Sequence, residues 1–223
     1  MDVNVTEDII KRLEQPIKLF EASKYVPIDL SVTNSAFSKV NLNSVEEFSA
    51  YIDNFLANQG AEIAYGGYLE VRNIYKRSTY FLEDNRKARN IHLGVDFWCP
   101  ENTPVLAPII GKVHSFKNNT NFGDYGPTII LEHEVEKHKF YTLYGHLSEE
   151  SISQIPIGQT FNPGDVLGRL GASEVNGNYP PHLHFQIIKD IQGLEGDYPG
   201  VCSKQTLDFY EKNCPNPELL LKL

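Results

Sequence analysis

Apolar side chains recur along this chain in two rhythms, and the change from one to the other divides it. Between residues 6 and 20 they fall at Ile9, Ile10, Leu13, Ile17 and Leu19, with Pro16 as a break, which predicts a short helix ending near Glu14. Residues 23–41 hold Pro27 and many Ser, Thr and Asn, and read as loop with one short strand. Ser44-Val45-Glu46-Glu47 then has the form of a capping box, Ser44 as N-cap and Glu47 as the acceptor that returns to it. Behind it Val45, Phe48, Ile52 and Phe55 share one face, so a helix is expected over about 45–58, stopped by Gly60.

From residue 62 onward the period shortens towards two. A pair of strands is expected around Gly66-Gly67, with Ile63 and Tyr65 before the turn and Leu69, Val71, Ile74 and Tyr75 after it. Further strands are expected at 103–108, 111–116, 128–133, 140–147, 166–171 and 182–188, the last burying Leu183, Phe185 and Ile187. Asn118 to Gly126 reads as a polar loop at the rim of a groove. The fold class is therefore mainly β: an antiparallel sheet domain over residues 62–190, with a small α+β extension over 1–61 and a Gly- and Pro-rich tail over 191–223 packed on it. Helices are expected in the extension, save a short one at 204–212, and the tail is assigned no chemistry.

Composition changes the picture in three places. A net charge of −9 over 223 residues argues against nucleic acid or an anionic membrane surface as the main partner. No apolar run reaches the roughly 18–20 residues of a membrane span, and Met1 to Asp8 has no basic region followed by an apolar core. A cytoplasmic location is expected from that, or export if the chain is a fragment of a longer precursor. Cys99, Cys202 and Cys214 are few and odd in number, and are expected as unpaired thiols. Against the acidic background Arg72, Lys76, Arg77, Arg86, Lys87 and Arg89 form a basic stretch. It reads as a solvated face, or as the source of one arginine that reaches a cleft and binds a carboxylate or phosphate.

The candidate chemistry lies in three separated motifs: His92-x-x-x-Asp96, Tyr144-Gly145-His146-Leu147 and His182-x-His184. Alternation in a strand places His182 and His184 on one face, with Leu183 and Phe185 on the other. His92 and Asp96 would lie roughly 13 Å apart in one straight strand, so the chain must bend near Gly94, or His92 must sit in the loop leading in. Two imidazoles and a carboxylate make a ligand set suited to catalytic zinc with one position left open, and two histidines remain for proton handling.

Taken together and in order, these motifs resemble the zinc metallopeptidases of the M23 family, the lysostaphin and LytM type, over roughly residues 88 to 190. The resemblance implies a hybrid-motif metallopeptidase domain, with His92, Asp96 and His184 as ligands of Zn²⁺ and His146 and His182 as the catalytic pair. It also implies hydrolysis of an amide bond in peptidoglycan-type peptides, with a peptide or cell-wall fragment as substrate. Members often carry a tyrosine just before the first ligand; Tyr75 and Tyr80 lie too far upstream for that role to be carried over. In some relatives an asparagine fills the fourth metal position, for which Asn34, Asn41 and Asn43 are candidates by location. No HExxH helix supplies a glutamate base, so proton transfer falls to His146 and His182. The rival readings are a non-catalytic peptide- or glycan-binding module, an intracellular zinc amidohydrolase on another substrate, and histidine phosphotransfer. Asp96 near His92 counts against the last, because a carboxylate repels a phosphoryl group. His114, His133 and His138 are expected in surface or structural roles, His133 being placed to support a ligand from behind.

Overall fold

In the computed structural model, which describes residues 5–13, 18–77 and 88–221, alternate strand positions separate cleanly, and that separation puts the chemistry on one side of a sheet. The described strands are β1 (Tyr25–Pro27), β2 (Ile63–Gly66), β3 (Ile91–His92), β4 (Val95–Trp98), β5 (Pro104–Leu106), β6 (Gly111–Asn119), β7 (Gly126–Val135), β8 (His138–Gly145), β9 (Thr160–Phe161), β10 (Val166–Arg169), β11 (His182–Ile188) and β12 (Val201–Cys202). Eight of them form one sheet in the order β1-β2-β4-β11-β8-β7-β6-β9. Its neighbours are antiparallel except β1, which runs parallel to β2. Two small pairs, β5 with β10 and β3 with β12, complete the β structure.

On β4 and β11 the side chains of Val95, Phe97, Leu183, Phe185 and Ile187 enter the main core beside Ile129, Leu131 and Tyr144. Burial of each large apolar side chain is worth ~1.5–3 kcal/mol. That sum fixes the register, because a slip by one residue would turn all of them outward. The intervening positions, Asp96, Trp98, His182 and His184, thereby face the opposite side, where Trp98 joins a second core with Phe48 and Tyr179.

α1 (Val5–Arg12) ends as the apolar spacing requires; Glu14, Pro16 and Ile17 lie outside the described residues. α2 (Val45–Gln59) begins at Ser44, whose hydroxyl accepts from the Glu47 amide at 3.1 Å, and stops at Gly60, whose φ of +54° a side chain would strain. Only half of the expected capping box forms. The Ser44 amide is already bonded to the Asn41 carbonyl, and the Glu47 carboxylate accepts from the Asn41 side chain instead.

Two expectations are corrected. The strand predicted after Gly67 does not form: Leu69 adopts φ +57°, which interrupts any extended run, and residues 67–72 instead run beside β3. Leu69 donates to the His92 carbonyl, His92 to that of Glu70, and Arg72 to that of Asn90, after which Ile74–Arg77 makes a 3₁₀ turn. Nor are helices confined as expected, since α3 (Glu149–Ser153), α4 (Leu207–Asn213) and α5 (Glu218–Leu221) lie beyond the extension. Of these the sequence signalled α4 alone. The other two are of one turn or little more, too short to show a helical period. Ile10 of α1 and Leu220 and Leu221 of α5 enter the same core. All three cysteines are buried and unpaired, and no helix among the described residues is long and apolar enough to cross a membrane.

Candidate active site

Register builds the site's floor. Asp96 pairs with His184, and Trp98 with His182, so four side chains form a two-by-two patch on one face of β4 and β11. Glycines flank the Asp96–His184 pair: Gly66 lies opposite Asp96, and Gly145 opposite His184. A Cβ at Gly145 would come within 2.7 Å of the Tyr125 ring, so glycine there lets that ring lie against His184. His92 ends β3, and the chain turns at Leu93-Gly94 before β4 brings in Asp96, the first of the two arrangements that the spacing allowed. Gly94 permits the approach, since a Cβ there would meet the Phe185 carbonyl at 2.6 Å and the His184 ring at 2.7 Å.

The three ligand candidates converge. His92 Nε2 lies 2.9 Å from His184 Nδ1 and 3.2 Å from Asp96 Oδ1, and His184 Nδ1 lies 3.1 Å from the same oxygen. The outer bonds assign the tautomers. His92 Nδ1 faces the Gly67 carbonyl at 3.2 Å and must carry the proton that bonds to it. His184 Nε2 faces Gln186 Oε1 at 2.9 Å. The amide of Gln186 is oriented by its own donation to the Pro199 carbonyl and Cys214 Sγ, so its oxygen is the atom left for His184. Both imidazoles therefore turn bare lone pairs inward, where a carboxylate oxygen meets them. Burial, with the charge of Arg72, pushes His92 down to about 3, which keeps that ring neutral. Burial alone would raise Asp96, yet the Arg72 guanidinium holds its carboxyl well below the usual carboxylate range. Three electron-pair donors, 1–3% exposed, face one another with no proton between them; such a cluster is stable around a cation.

Behind Asp96 stands Arg72, the one arginine of the basic stretch that the described structure buries at the cluster, at 2% exposure. It donates through Nη1 to Asp96 Oδ2 and through Nε to Glu70, whose other oxygen accepts from the Leu30 amide. Asp96 is thus held with Oδ2 on arginine and Oδ1 free for the cluster. Arg86 and Lys87 lie outside the described residues, as does Tyr80.

His146 and His182 stand next to the cluster with ring centroids 4.1 Å apart. His146 follows β8 at φ +64°, a conformation costly for a non-glycine residue, which its amide bond to the Tyr125 carbonyl helps to hold. Its Nδ1 donates to the Asn176 carbonyl at 2.7 Å, and that of His182 to the Pro180 carbonyl at 2.8 Å. Each ring so presents Nε2 as an acceptor. Burial pushes His182 down to about 4 and His146 well below the ordinary histidine range. The His182 ring stacks on Trp98 at 4.1 Å.

A cavity of about 210 Å³ opens over this patch, bounded by Tyr75, Tyr125, Tyr179, Leu194, Asp197 and Tyr198 among others. Two features of that wall escaped the sequence. Tyr75 sits beside the site although it precedes His92 by a long interval, because the 3₁₀ turn folds it back. The tail contributes a wall because β12 pairs with β3, an interaction of two residues per strand with no signal of its own. His133 does not support a ligand: it bonds the Ile110 carbonyl and the Thr142 hydroxyl elsewhere in the sheet. Asn34, Asn41 and Asn43 do not line the cavity.

The sequence pattern of peptidase family M23 matches residues 90–196. A Haemophilus influenzae protein described as an uncharacterized metalloprotease is 31% identical over 118 residues, 52% of this chain and 23% of that protein. The L-Ala–D-Glu endopeptidase of Bacillus subtilis is 30% identical over 153 residues, 65% of this chain and 45% of its own length. Among solved structures, the catalytic domain of lysostaphin from Staphylococcus simulans is 22% identical, covers 71% of this chain and 96% of that domain, and superposes with a TM-score of 0.43. The chain spans less than half the length of the curated relatives it matches.

Proposed function

We propose, from the match of residues 90–196 to the peptidase family M23 pattern, that this chain is a zinc-dependent hydrolase of a peptide amide bond, with His92, Asp96 and His184 as ligands. The observation that carries the proposal is the meeting of three acceptor atoms with no donor among them. Zn–N and Zn–O bonds of about 2.0–2.1 Å in a tetrahedron imply ligand atoms about 3.3 Å apart. The observed separations of 2.9, 3.1 and 3.2 Å are close to that edge. Two imidazoles and one carboxylate are also a donor set that leaves the fourth position open. Bound there, zinc would polarise the scissile carbonyl and lower the pKa of water toward neutrality.

The remaining steps fall to His146 and His182. Each offers Nε2 as an acceptor, its tautomer set by a backbone carbonyl, so either can take the proton of an attacking water. Two rings 4.1 Å apart resist both becoming charged, so a single proton serves the pair: the ring that receives it becomes the donor to the oxyanion or the departing amine. Arg72 keeps Asp96 ionised and directed throughout. The names of the relatives, an L-Ala–D-Glu endopeptidase and a DD-carboxypeptidase/endopeptidase among them, support peptidoglycan-type peptides as the substrate class. Elemental analysis of the purified protein, paired with a cleavage assay on wall peptides before and after chelation, tests this. About one zinc per chain, with cleavage lost on chelation and restored by zinc, is the expected result. A protein that takes up no metal when zinc is supplied overturns it.

A further inference from the structure

Two of the three ligand candidates are held through one residue, Glu70, which is not a ligand and does not line the cavity. Its amide donates at 3.1 Å to the Gly67 carbonyl, the same carbonyl that His92 Nδ1 faces, and its own carbonyl accepts from the His92 amide at 3.0 Å. Its carboxylate accepts from Arg72 Nε, and Arg72 donates through Nη1 to Asp96. The carboxylate lies there because position 67 is glycine, where a Cβ would meet it at 2.5 Å. Its other oxygen accepts from the Leu30 amide at 3.0 Å, and Leu30 belongs to the N-terminal extension. Burial places that last donor: Ile28 and Leu30 are 5% and 1% exposed and pack in the second core with Trp98. The amides of Ile28 and Val32 donate to the Tyr65 and Val71 carbonyls, each at 2.9 Å. Between them, the Leu30 amide meets the Glu70 side chain instead of a carbonyl.

Arginine can only donate, and Arg72 divides its donors among Glu70, Asp96 and the Tyr75 hydroxyl. A guanidinium shared between two carboxylates withdraws less charge from each than it would from one. Glu70 therefore both aims Nη1 at Asp96 Oδ2 and leaves Asp96 Oδ1 the stronger electron donor toward the cluster. Asp29, also in the extension, adds a like charge near Glu70, so Arg72 is the cation that favours the ionised Glu70. We propose that Glu70 is a positioning residue of the metal site, and that segment 28–32, through the Leu30 amide, couples the N-terminal extension to how tightly the cluster holds an ion. The extension is then part of the metal centre and not a removable cover. The inference rests on reading His92, Asp96 and His184 as ligands, and does not depend on hydrolysis.

The test uses the full chain and measures zinc affinity by competition with a chelator, with the visible spectrum of the cobalt-loaded protein as a report on the ligands around the ion. Glu70→Gln keeps the shape and every backbone bond to Gly67 and His92, and removes the charge that Arg72 answers. Zinc affinity is expected to fall about 10–100-fold, and the cobalt spectrum to change. Glu62→Gln is the control: Glu62 accepts from the Ser23 amide at 2.9 Å and ties the extension down elsewhere, so both readouts should stay as in the wild type. In an Arg72→Met background Glu70→Gln should cost nothing further, because Glu70 acts on Asp96 through Arg72; if Arg72→Met does not fold, the affinity of Glu70→Gln decides alone. The extension is read by hydrogen exchange. Zinc should slow the Leu30 amide more than those of Ile28 and Val32, and Glu70→Gln should abolish that excess. A Glu70→Gln protein that binds zinc as tightly as the wild type overturns the positioning role, and a Leu30 amide that zinc slows no more than its neighbours overturns the link to the extension. In either case a wild type that still binds zinc keeps the ligand set. If the Glu70 effect appears in a protein that cleaves no peptide, this inference stands and the hydrolase falls.

Discussion

His133 and His184 are both buried histidines of one sheet, on β7 and β11, and the way each treats its ring nitrogens separates a structural residue from a chemical one. His133 has both nitrogens met by protein, the Ile110 carbonyl and the Thr142 hydroxyl, each at 2.7 Å. His184 has one nitrogen met, by Gln186, and turns the other toward His92 and Asp96, which bring only lone pairs of their own. Burial is nearly equal, at 1% and 3%. An unmet acceptor among other acceptors therefore marks the site, where a buried imidazole by itself does not.

The largest effects are expected where the chemistry would be lost and the cluster kept. His146→Ala and His182→Ala each retain metal and lose turnover roughly 10²–10⁴-fold, the usual worth of acid–base catalysis. Neither removes an atom of the three-acceptor cluster, so metal analysis beside the kinetics checks the assignment. A double variant that still turns over at the wild-type rate would sink it.

A smaller effect tests the orientation of His184. In Gln186→Ala the imidazole loses the acceptor that keeps its proton on Nε2, and metal affinity is expected to fall about 10–100-fold with the protein still folded. Competition with a chelator of known affinity reads this out. Unchanged affinity would mean that the ring's tautomer is set by something other than Gln186, and the contrast with His133 would lose its basis.

How much of this could be read in the sequence follows from the range of the interactions involved. Three motifs were legible because strand alternation is strictly periodic: once His182 and His184 share a face, Leu183, Phe185 and Ile187 must be core, and they are. Length alone showed that His92 and Asp96 could not share one straight strand, and left a bend near Gly94 and a loop position for His92 as the two ways out. Ser44 and Gly60 marked α2 through local bonds that any helix end needs. What stayed hidden depends on distant partners. Arg72 looked like one of six basic residues, and only the fold, which lays residues 67–72 along β3, singles it out. Tyr75 and the tail wall at Tyr198 enter for the same reason, through a 3₁₀ turn and a two-residue strand too short to carry a pattern. His133 was misread in the other direction, since its partners are a carbonyl and a hydroxyl that many positions could supply.

The smallest expected effect concerns His133, and its sign separates the two histidines by pH. Burial pushes the His133 pKa down to about 4, against an ordinary value near 6.5 in the unfolded chain. The unfolded state thus binds the proton first as pH falls. Stability from a neutral, bonded His133 is complete above pH ~6.5 and is lost progressively as pH falls from there to about 4, by up to ~3 kcal/mol. His133→Gln keeps a donor and an acceptor for Ile110 and Thr142 but cannot titrate. Its denaturant midpoint should therefore fall less steeply than the wild type's between pH 6.5 and 4, while metal content at neutral pH stays the same. His92, His146 and His182 are unchanged in both proteins, so the difference between the two curves belongs to position 133. Identical curves would show that His133 is charged in the fold or already neutral in the unfolded chain, and loss of metal in His133→Gln would show that the two regions are not independent. With metal retained and the acid limb flattened, the sheet holds two classes of buried imidazole, one satisfied by the protein and one turned toward a cation.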